Sequence, residues 1–219
     1  MIFVLEGIPG AGKSTIKNLL QHDDYWKDSI FIPEIVDEKL LKKYLDNMKK
    51  EAYHFQCEIQ RQTMQRLKAA AILAKQGYNV FIDRGMIGNS LFVKVQKDLG
   101  FITEEEYDKY TKEFSSTNPK TYPMEYNQLL GSVKIAKVYI KVKPEIAMKR
   151  IKKRSRNGES GYDIEYLKKL YNEHCIFEQN TIIIENNETI IDALQKHDPN
   201  QVSSKLKSSC DGLQHTWHV

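Results

Sequence analysis

The sequence predicts an α/β fold, a parallel five-stranded sheet with helices on both faces, from three observations. Gly7-Ile-Pro-Gly-Ala-Gly-Lys-Ser14 is a G-x-x-x-x-G-K-S phosphate-binding loop, set between a strand pattern at residues 1–6 and a helix pattern carrying Ile16, Leu19 and Leu20. Short apolar runs then alternate with longer stretches of helical spacing, as βαβ units do. Finally, 219 residues with 41% hydrophobic and 28% charged side chains suit one domain with a full core.

In order along the chain, helix one fades into a polar connection, and Ile30 to Pro33 reads as strand two, ending at Glu34. Leu40, Leu41, Tyr44, Leu45 and Met48 mark a helix over 37–50, and a longer helix is expected from about Tyr53 to Gln76, stopped by Gly77. Strand three, Tyr78 to Ile82, delivers Asp83-Arg84-Gly85, and a helix follows from Met86 to Leu99. Thr103-Glu-Glu-Glu106 is a capping box opening the next helix, and residues 115–131 read as loop with a short helix. Ile135 to Val142 is strand four, Pro144 begins a basic helix, Asp163 to Gln179 is helical, and Thr181 to Glu185 is the last strand, with a short helix to about Lys196. The expected domain is 1–197, with a polar tail over 198–219.

No run is long enough to span a bilayer and none reads as a targeting peptide, so a cytoplasmic protein without a membrane partner is expected. Cys57, Cys175 and Cys210 are scattered and read as free thiols. A net charge of +4 does not by itself call for nucleic acid, but Lys149, Arg150, Lys152, Lys153, Arg154 and Arg156 crowd into one segment.

Ligands of such sheets bind outside the carboxyl ends of the strands, where the loop, Glu34 and Asp83-Arg84 all fall. Backbone N–H groups of Gly7, Gly10, Ala11 and Gly12, with Lys13, Ser14 and Thr15, would cradle the phosphates of ATP or another NTP. Lys13 reaches the β and γ phosphates, and the Ser14 hydroxyl suits Mg2+. Phosphoryl transfer to a hydroxyl also needs a carboxylate to take the proton, and Glu34 is the best-placed base, with capping of the next helix as its plainer role. Arg84 would hold the acceptor oxygen and the developing phosphate charge, or else pair with Asp83 or Glu34.

The set Gly7 to Thr15, Pro33-Glu34, Phe55-Gln56, Asp83-Arg84-Gly85 and Arg150-x-x-x-Arg154-x-Arg156-x-x-Glu159, followed by residues 162–177, resembles the deoxyribonucleoside kinase family in order over residues 1–196. The chain departs at Ile35, where the family usually has Pro, and at Gly85, where it usually has Ser. The resemblance implies a P-loop kinase fold with a helical lid and a homodimer. The implied reaction is ATP- and Mg2+-dependent phosphorylation of a deoxyribonucleoside 5′-hydroxyl. It also implies Asp83 as a metal-side carboxylate and Arg150, Arg154 and Arg156 as lid residues closing on the phosphates. Gln56 is implied to pair with the base, Tyr44 and Glu159 to hold the sugar 3′-hydroxyl, and Thr63 and Asn89 to occupy positions that set base preference. Phe92 could stack on the base or pack in the core. The base stays open. Two other readings remain: a thymidylate kinase, which would show Pro-Gly-Gly after Glu34, and a non-catalytic nucleotide- or nucleic-acid-binding protein using Lys149 to Arg156 as a phosphate patch.

Overall fold

The five strands are β1 (Ile2–Glu6), β2 (Ile30–Ile32), β3 (Val80–Asp83), β4 (Ile135–Lys141) and β5 (Ile182–Glu185), and they form one sheet in the order β2-β3-β1-β4-β5. All pairings are parallel: Leu5 lies opposite Asp83 and Val138, and Ile32 opposite Ile82. The computed structural model describes residues 1–34, 36–115, 117–121, 123–154, 162–179, 181–186, 204 and 206–208. Eight helices among these cover both faces: α1 (Lys13–Gln21), α2 (Glu38–Asp46), α3 (Met48–Lys75), α4 (Met86–Asp98), α5 (Glu104–Glu113), α6 (Met124–Gly131), α7 (Pro144–Arg154) and α8 (Ile164–His174). This is the predicted α/β architecture.

Every residue of β1 is buried, because a parallel strand covered on both faces has no solvent side. Its side chains alternate between two cores: Phe3, Leu5 and Phe81 join one with Trp26 and Ile151, while Ile2, Val4, Val80 and Ile82 join the other with Leu67 and Ala71. A third cluster, around Tyr44, Phe55, Val93 and Tyr110, binds α2, α3, α4 and α5 to one another.

β3 runs Val80–Asp83, two residues later at its start than the Tyr78 to Ile82 expected, and three other boundaries differ from the sequence reading for a local reason. The helix expected from about Tyr53 starts at Met48, because Asn47 closes α2 and its side chain also accepts from Lys50 N at 3.2 Å to cap α3. β2 stops at Ile32, before Pro33, which has no N–H for the ladder. The helix expected over 163–179 ends at His174 and tightens into a 3-10 turn, Cys175–Glu178. Asp37 caps α2, and Thr103 with Glu106 forms the expected capping box. The helix expected up to Lys196 lies outside the described residues, as do Cys210 and most of the tail. Within that tail Leu206 is fully buried in the first core, and Lys207 lies over the Tyr25 ring at 4.3 Å. No helix of the described residues is long and apolar enough to cross a membrane.

Trp26 is fully buried and meets Phe3 and Phe81 edge-on, with ring centroids 5.3 Å from each, under the sheet that carries the phosphate loop. Trp26→Ala empties the largest side chain from that core and is expected to cost ~3 to 5 kcal/mol of unfolding free energy in urea titration. A loss below ~1 kcal/mol would show that this core carries little of the fold.

Candidate active site

Gly12 ends the phosphate loop in the left-handed region (φ 100°) and hands the chain to α1. Gly10 is left-handed as well (φ 77°), and a Cβ there would come within 2.6 Å of the Ala147 carbonyl of α7. The loop can therefore lie this close to α7 only with glycine at that position. Two further residues brace it from behind. Asn186, which follows β5, donates through Nδ2 to the Ala11 carbonyl at 2.5 Å, and Arg150 donates to the Gly10 and Ala11 carbonyls at 3.4 Å and to the Asn186 carbonyl at 3.1 Å. In this state Arg150 holds the loop's backbone. Arg154 is exposed on the rim of the cleft, and Lys153 lines it too. Arg156 and Glu159 lie outside the described residues.

Above the loop the strand ends bring opposite charges together. The Lys13 ammonium donates to the Gly7 carbonyl at 3.1 Å and stands 3.9 Å from Asp83 Oδ1. Arg84 Nε is 3.8 Å from Glu34 Oε2, and the Arg84 guanidinium lies 4.0 Å over the Phe92 ring. Phe92 thus supports an arginine as well as the core. Burial lowers the Lys13 pKa, which the nearby carboxylates of Asp83 and Glu34 oppose. Burial also works against the charge of Arg84, but Glu34, Asp83 and Glu6 outweigh it and raise its pKa.

Arg84 has φ 63°, the one non-glycine residue with positive φ among those described. A side chain in that region stores strain and persists only when its surroundings hold it. Its amide donates to the Leu5 carbonyl at 2.9 Å, and the next amide, Gly85, donates to Glu6 Oε1 at 3.0 Å. Glu6 was missed in the sequence, where it reads as the last residue of an apolar strand. The available signal was a carboxylate at the carboxyl end of that strand. Asn186 was missed for the same reason, and it obeys the same edge rule. Glu6 is 1% exposed, and burial raises its pKa to about 7 despite Arg84, the Gly85 amide and Lys13. Gly88 has no room for a Cβ, which would lie 2.0 Å from Glu6 Oε2.

The cleft beside these charges has a volume of about 1700 Å³. That exceeds the ~300 to 1000 Å³ of a typical single-ligand pocket and leaves room for two ligands. Its inner wall includes Gln56, Tyr44, Asn89 and Gln96. Tyr44 stacks on Phe55 at 4.3 Å, and its hydroxyl accepts from Gln96 Nε2 at 2.8 Å. Burial pushes the Tyr44 phenol well above its ordinary pKa, so it stays neutral. Asn89 bonds to Gln60 and Thr63 of α3. Ser14 is exposed at the start of α1 and Asp83 Oδ1 is buried without a hydrogen bond, so a hydroxyl and an unsatisfied carboxylate oxygen face the cleft. Both are donors that a hard cation such as Mg2+ takes.

The profile of the deoxynucleoside kinase family matches residues 3–211. The chain belongs to that family. It is 26% identical over 175 residues to a deoxyadenosine kinase of Dictyostelium discoideum, covering 80% of this chain and 65% of that protein. It is 28% identical over 169 residues to a deoxyguanosine kinase of Lactobacillus johnsonii, covering 74% and 68%. With deoxycytidine kinase 2 of Gallus gallus it shares 28% over 203 residues, covering 78% and 71%. The chain thus spans about two thirds of the length of these relatives. A solved structure of the deoxyadenosine kinase of M. mycoides superposes with a TM-score of 0.72, covering 95% of this chain and all of that one at 22% identity, which shows the shared fold. Membership of this family disfavours the thymidylate kinase reading.

The buried carboxyl of Glu6 makes a prediction about stability. A carboxyl whose pKa is raised on folding binds its proton more tightly in the folded state. Its contribution to stability is therefore full below the ordinary value of 4.5 and declines as pH rises to about 7. Glu6→Gln has no such proton, so its stability relative to the unsubstituted protein should improve by roughly 3 kcal/mol between about pH 4 and about pH 8. Urea midpoints measured at both ends check this, and parallel pH profiles would contradict it.

Proposed function

We propose that this deoxynucleoside kinase-family protein transfers the γ-phosphoryl group of ATP, or another nucleoside triphosphate, to the 5′-hydroxyl of a deoxyribonucleoside. The observation that carries the proposal is the meeting of Lys13, Asp83, Arg84 and Glu34 between the phosphate loop and the pocket walled by Gln56 and Tyr44. The donor's phosphates would lie on the amides of Gly10, Ala11, Gly12, Lys13, Ser14 and Thr15, with Gly7 at the loop's start and Lys13 reaching toward the γ-phosphate. Ser14 and Asp83 would hold Mg2+, which when bound neutralises phosphate charge. Glu34 accepts the proton of the nucleoside hydroxyl, and Arg84 holds that oxygen and steadies the charge that develops on the transferred group. Arg154 and Arg156 close over the phosphates after the donor binds and exclude water. Arg150 joins them by way of the loop carbonyls it already holds. Gln56 pairs with the base, Asn89 flanks it, and Tyr44 with Glu159 takes the sugar 3′-hydroxyl.

The remaining readings follow the family likeness. The protein acts as a homodimer in the cytoplasm, where Cys57 and Cys175, both free thiols, fit a reducing compartment. Nucleic acid is not a partner, since the exposed lysines of α7 are accounted for as a solvated face beside the lid. The relatives' names divide among adenine, guanine and cytosine nucleosides, so they do not select a base for this chain.

The test is to supply MgATP with deoxyribonucleosides and, separately, with their monophosphates, and to identify the products by mass. The expected result is monophosphate formed from nucleoside and no diphosphate from monophosphate. ATP hydrolysis with every nucleoside left intact would overturn the proposal. Glu34→Gln keeps size and polarity while removing basicity, and is expected to lower kcat by ~10²-fold or more with nucleoside binding largely kept. Turnover near that of the unsubstituted enzyme would remove Glu34 from the role of base.

A further inference from the structure

Three arginines stand around the cleft, and they spend their N–H groups differently. Arg66 of α3 donates to the Asp83 carbonyl and to Thr63 Oγ1, both at 2.6 Å. Arg150 of α7 donates to the Gly10, Ala11 and Asn186 carbonyls. Arg84 is 7% exposed, yet its guanidinium makes no hydrogen bond to the described residues: Nη1 is buried without a partner, and Nε stays 3.8 Å from Glu34 Oε2, beyond hydrogen-bond reach. Buried donors left without acceptors are costly, and a folded protein that keeps one at a cleft has a use for it.

What holds this side chain is a ring. Arg84 precedes α4 in left-handed backbone, and its side chain folds back so that the guanidinium carbon lies 4.0 Å from the centre of the Phe92 ring, in the second turn of α4. The face of an aromatic ring carries negative potential and attracts a cation through its charge alone, most strongly where water is excluded. Phe92 is 7% exposed and belongs to the first core, so packing fixes its place. Its other aromatic neighbour, His174, meets it nearly at right angles with ring centroids 6.0 Å apart. Burial lowers the His174 pKa to about 3, so no second cation competes for the ring. A hydrogen-bonding partner would also hold an arginine, but it would consume N–H groups, whereas a ring positions the charge and leaves them free.

We infer that Phe92 is the positioning residue for Arg84: its ring face holds the guanidinium at the cleft in place of hydrogen bonds, so that the N–H donors remain for the transferred phosphoryl group and the acceptor oxygen. The ring face thereby serves the arginine and not the base of the substrate. Contacts from Arg84 to the transferred group strengthen as charge develops toward the transition state. A weaker platform should therefore lower kcat and leave KM nearly unchanged. The inference rests on the kinase reading of the cleft.

The experiment replaces Phe92 alone with phenylalanines carrying one, two and three ring fluorines, which drain the negative face of the ring in steps at almost constant size. With MgATP and a deoxyribonucleoside that the unsubstituted protein phosphorylates, kcat should fall stepwise, by at least ~10-fold at the trifluoro ring, with both KM values kept within ~2-fold. The same series at Phe3, a fully buried core ring that stacks on Phe81, should leave kcat unchanged. In an Arg84→Met background the fluorines at position 92 should no longer alter the residual rate, because the platform has nothing to hold. A kcat that stays flat across the series would overturn the inference and leave the kinase reading standing. So would a nucleoside KM that climbs with fluorination while kcat holds, the behaviour of a ring that stacks on the base. A fall that persists undiminished without the Arg84 side chain would overturn it too, since the ring would then be acting through something else. Phosphorylation of no deoxyribonucleoside by the unsubstituted protein would remove the kinase reading, and this inference with it.

Discussion

The site depends on burying unlike charges together. Lys13 and Arg84 lie among Glu6, Glu34 and Asp83 at the carboxyl ends of three adjacent strands, and Glu6, Lys13 and Arg84 are almost wholly removed from water. None of these groups would stay ionised alone at such depth, because isolated buried charges neutralise by shifting their pKa. Here the opposite signs hold one another. Burial prevails at Glu6 and Lys13, whose pKa values move toward neutrality, whereas the three carboxylates prevail at Arg84 and keep it charged. A cleft prepared in this way needs little rearrangement to receive a polyphosphate, since charges of both signs are already fixed where the transferred group would pass.

The same interaction explains the backbone. Arg84 occupies a left-handed conformation that only firm surroundings maintain, and both flanking contacts come from β1: the Leu5 carbonyl takes the Arg84 amide and Glu6 takes the Gly85 amide. The phosphate loop and the arginine turn are thus two outputs of one central strand. Asn186 and Arg150 tie the end of β5 and α7 to the other side of the loop, so the ends of β1, β2 and β3 supply the charges of the cleft while β5 and α7 brace the loop.

Much of this was legible in the sequence. Apolar runs separated by helical spacing gave the α/β class, because strands covered on both faces must be apolar and their covering helices amphipathic. The edge rule then gathers the loop, Glu34 and Asp83-Arg84 at one end of the sheet from their positions alone. Glu6 was not legible, because a carboxylate ending an apolar strand has the same pattern whether it meets water or a buried turn. The split of α2 from α3 at Asn47 turned on one residue capping two helices, which periodicity does not register. Asn89 is legible through family likeness as a position, but its bonds to Gln60 and Thr63 reach a different helix, and no spacing in one chain reports them.

The central claim is that donor and acceptor meet in one prepared cleft and that the phosphoryl group passes directly between them. The stereochemistry of transfer from ATP made chiral at the γ-phosphorus by oxygen isotopes tests this most directly. A single in-line displacement onto the nucleoside hydroxyl predicts inversion of configuration at phosphorus. Retention, the mark of two successive displacements through a phosphorylated enzyme side chain, would contradict the account.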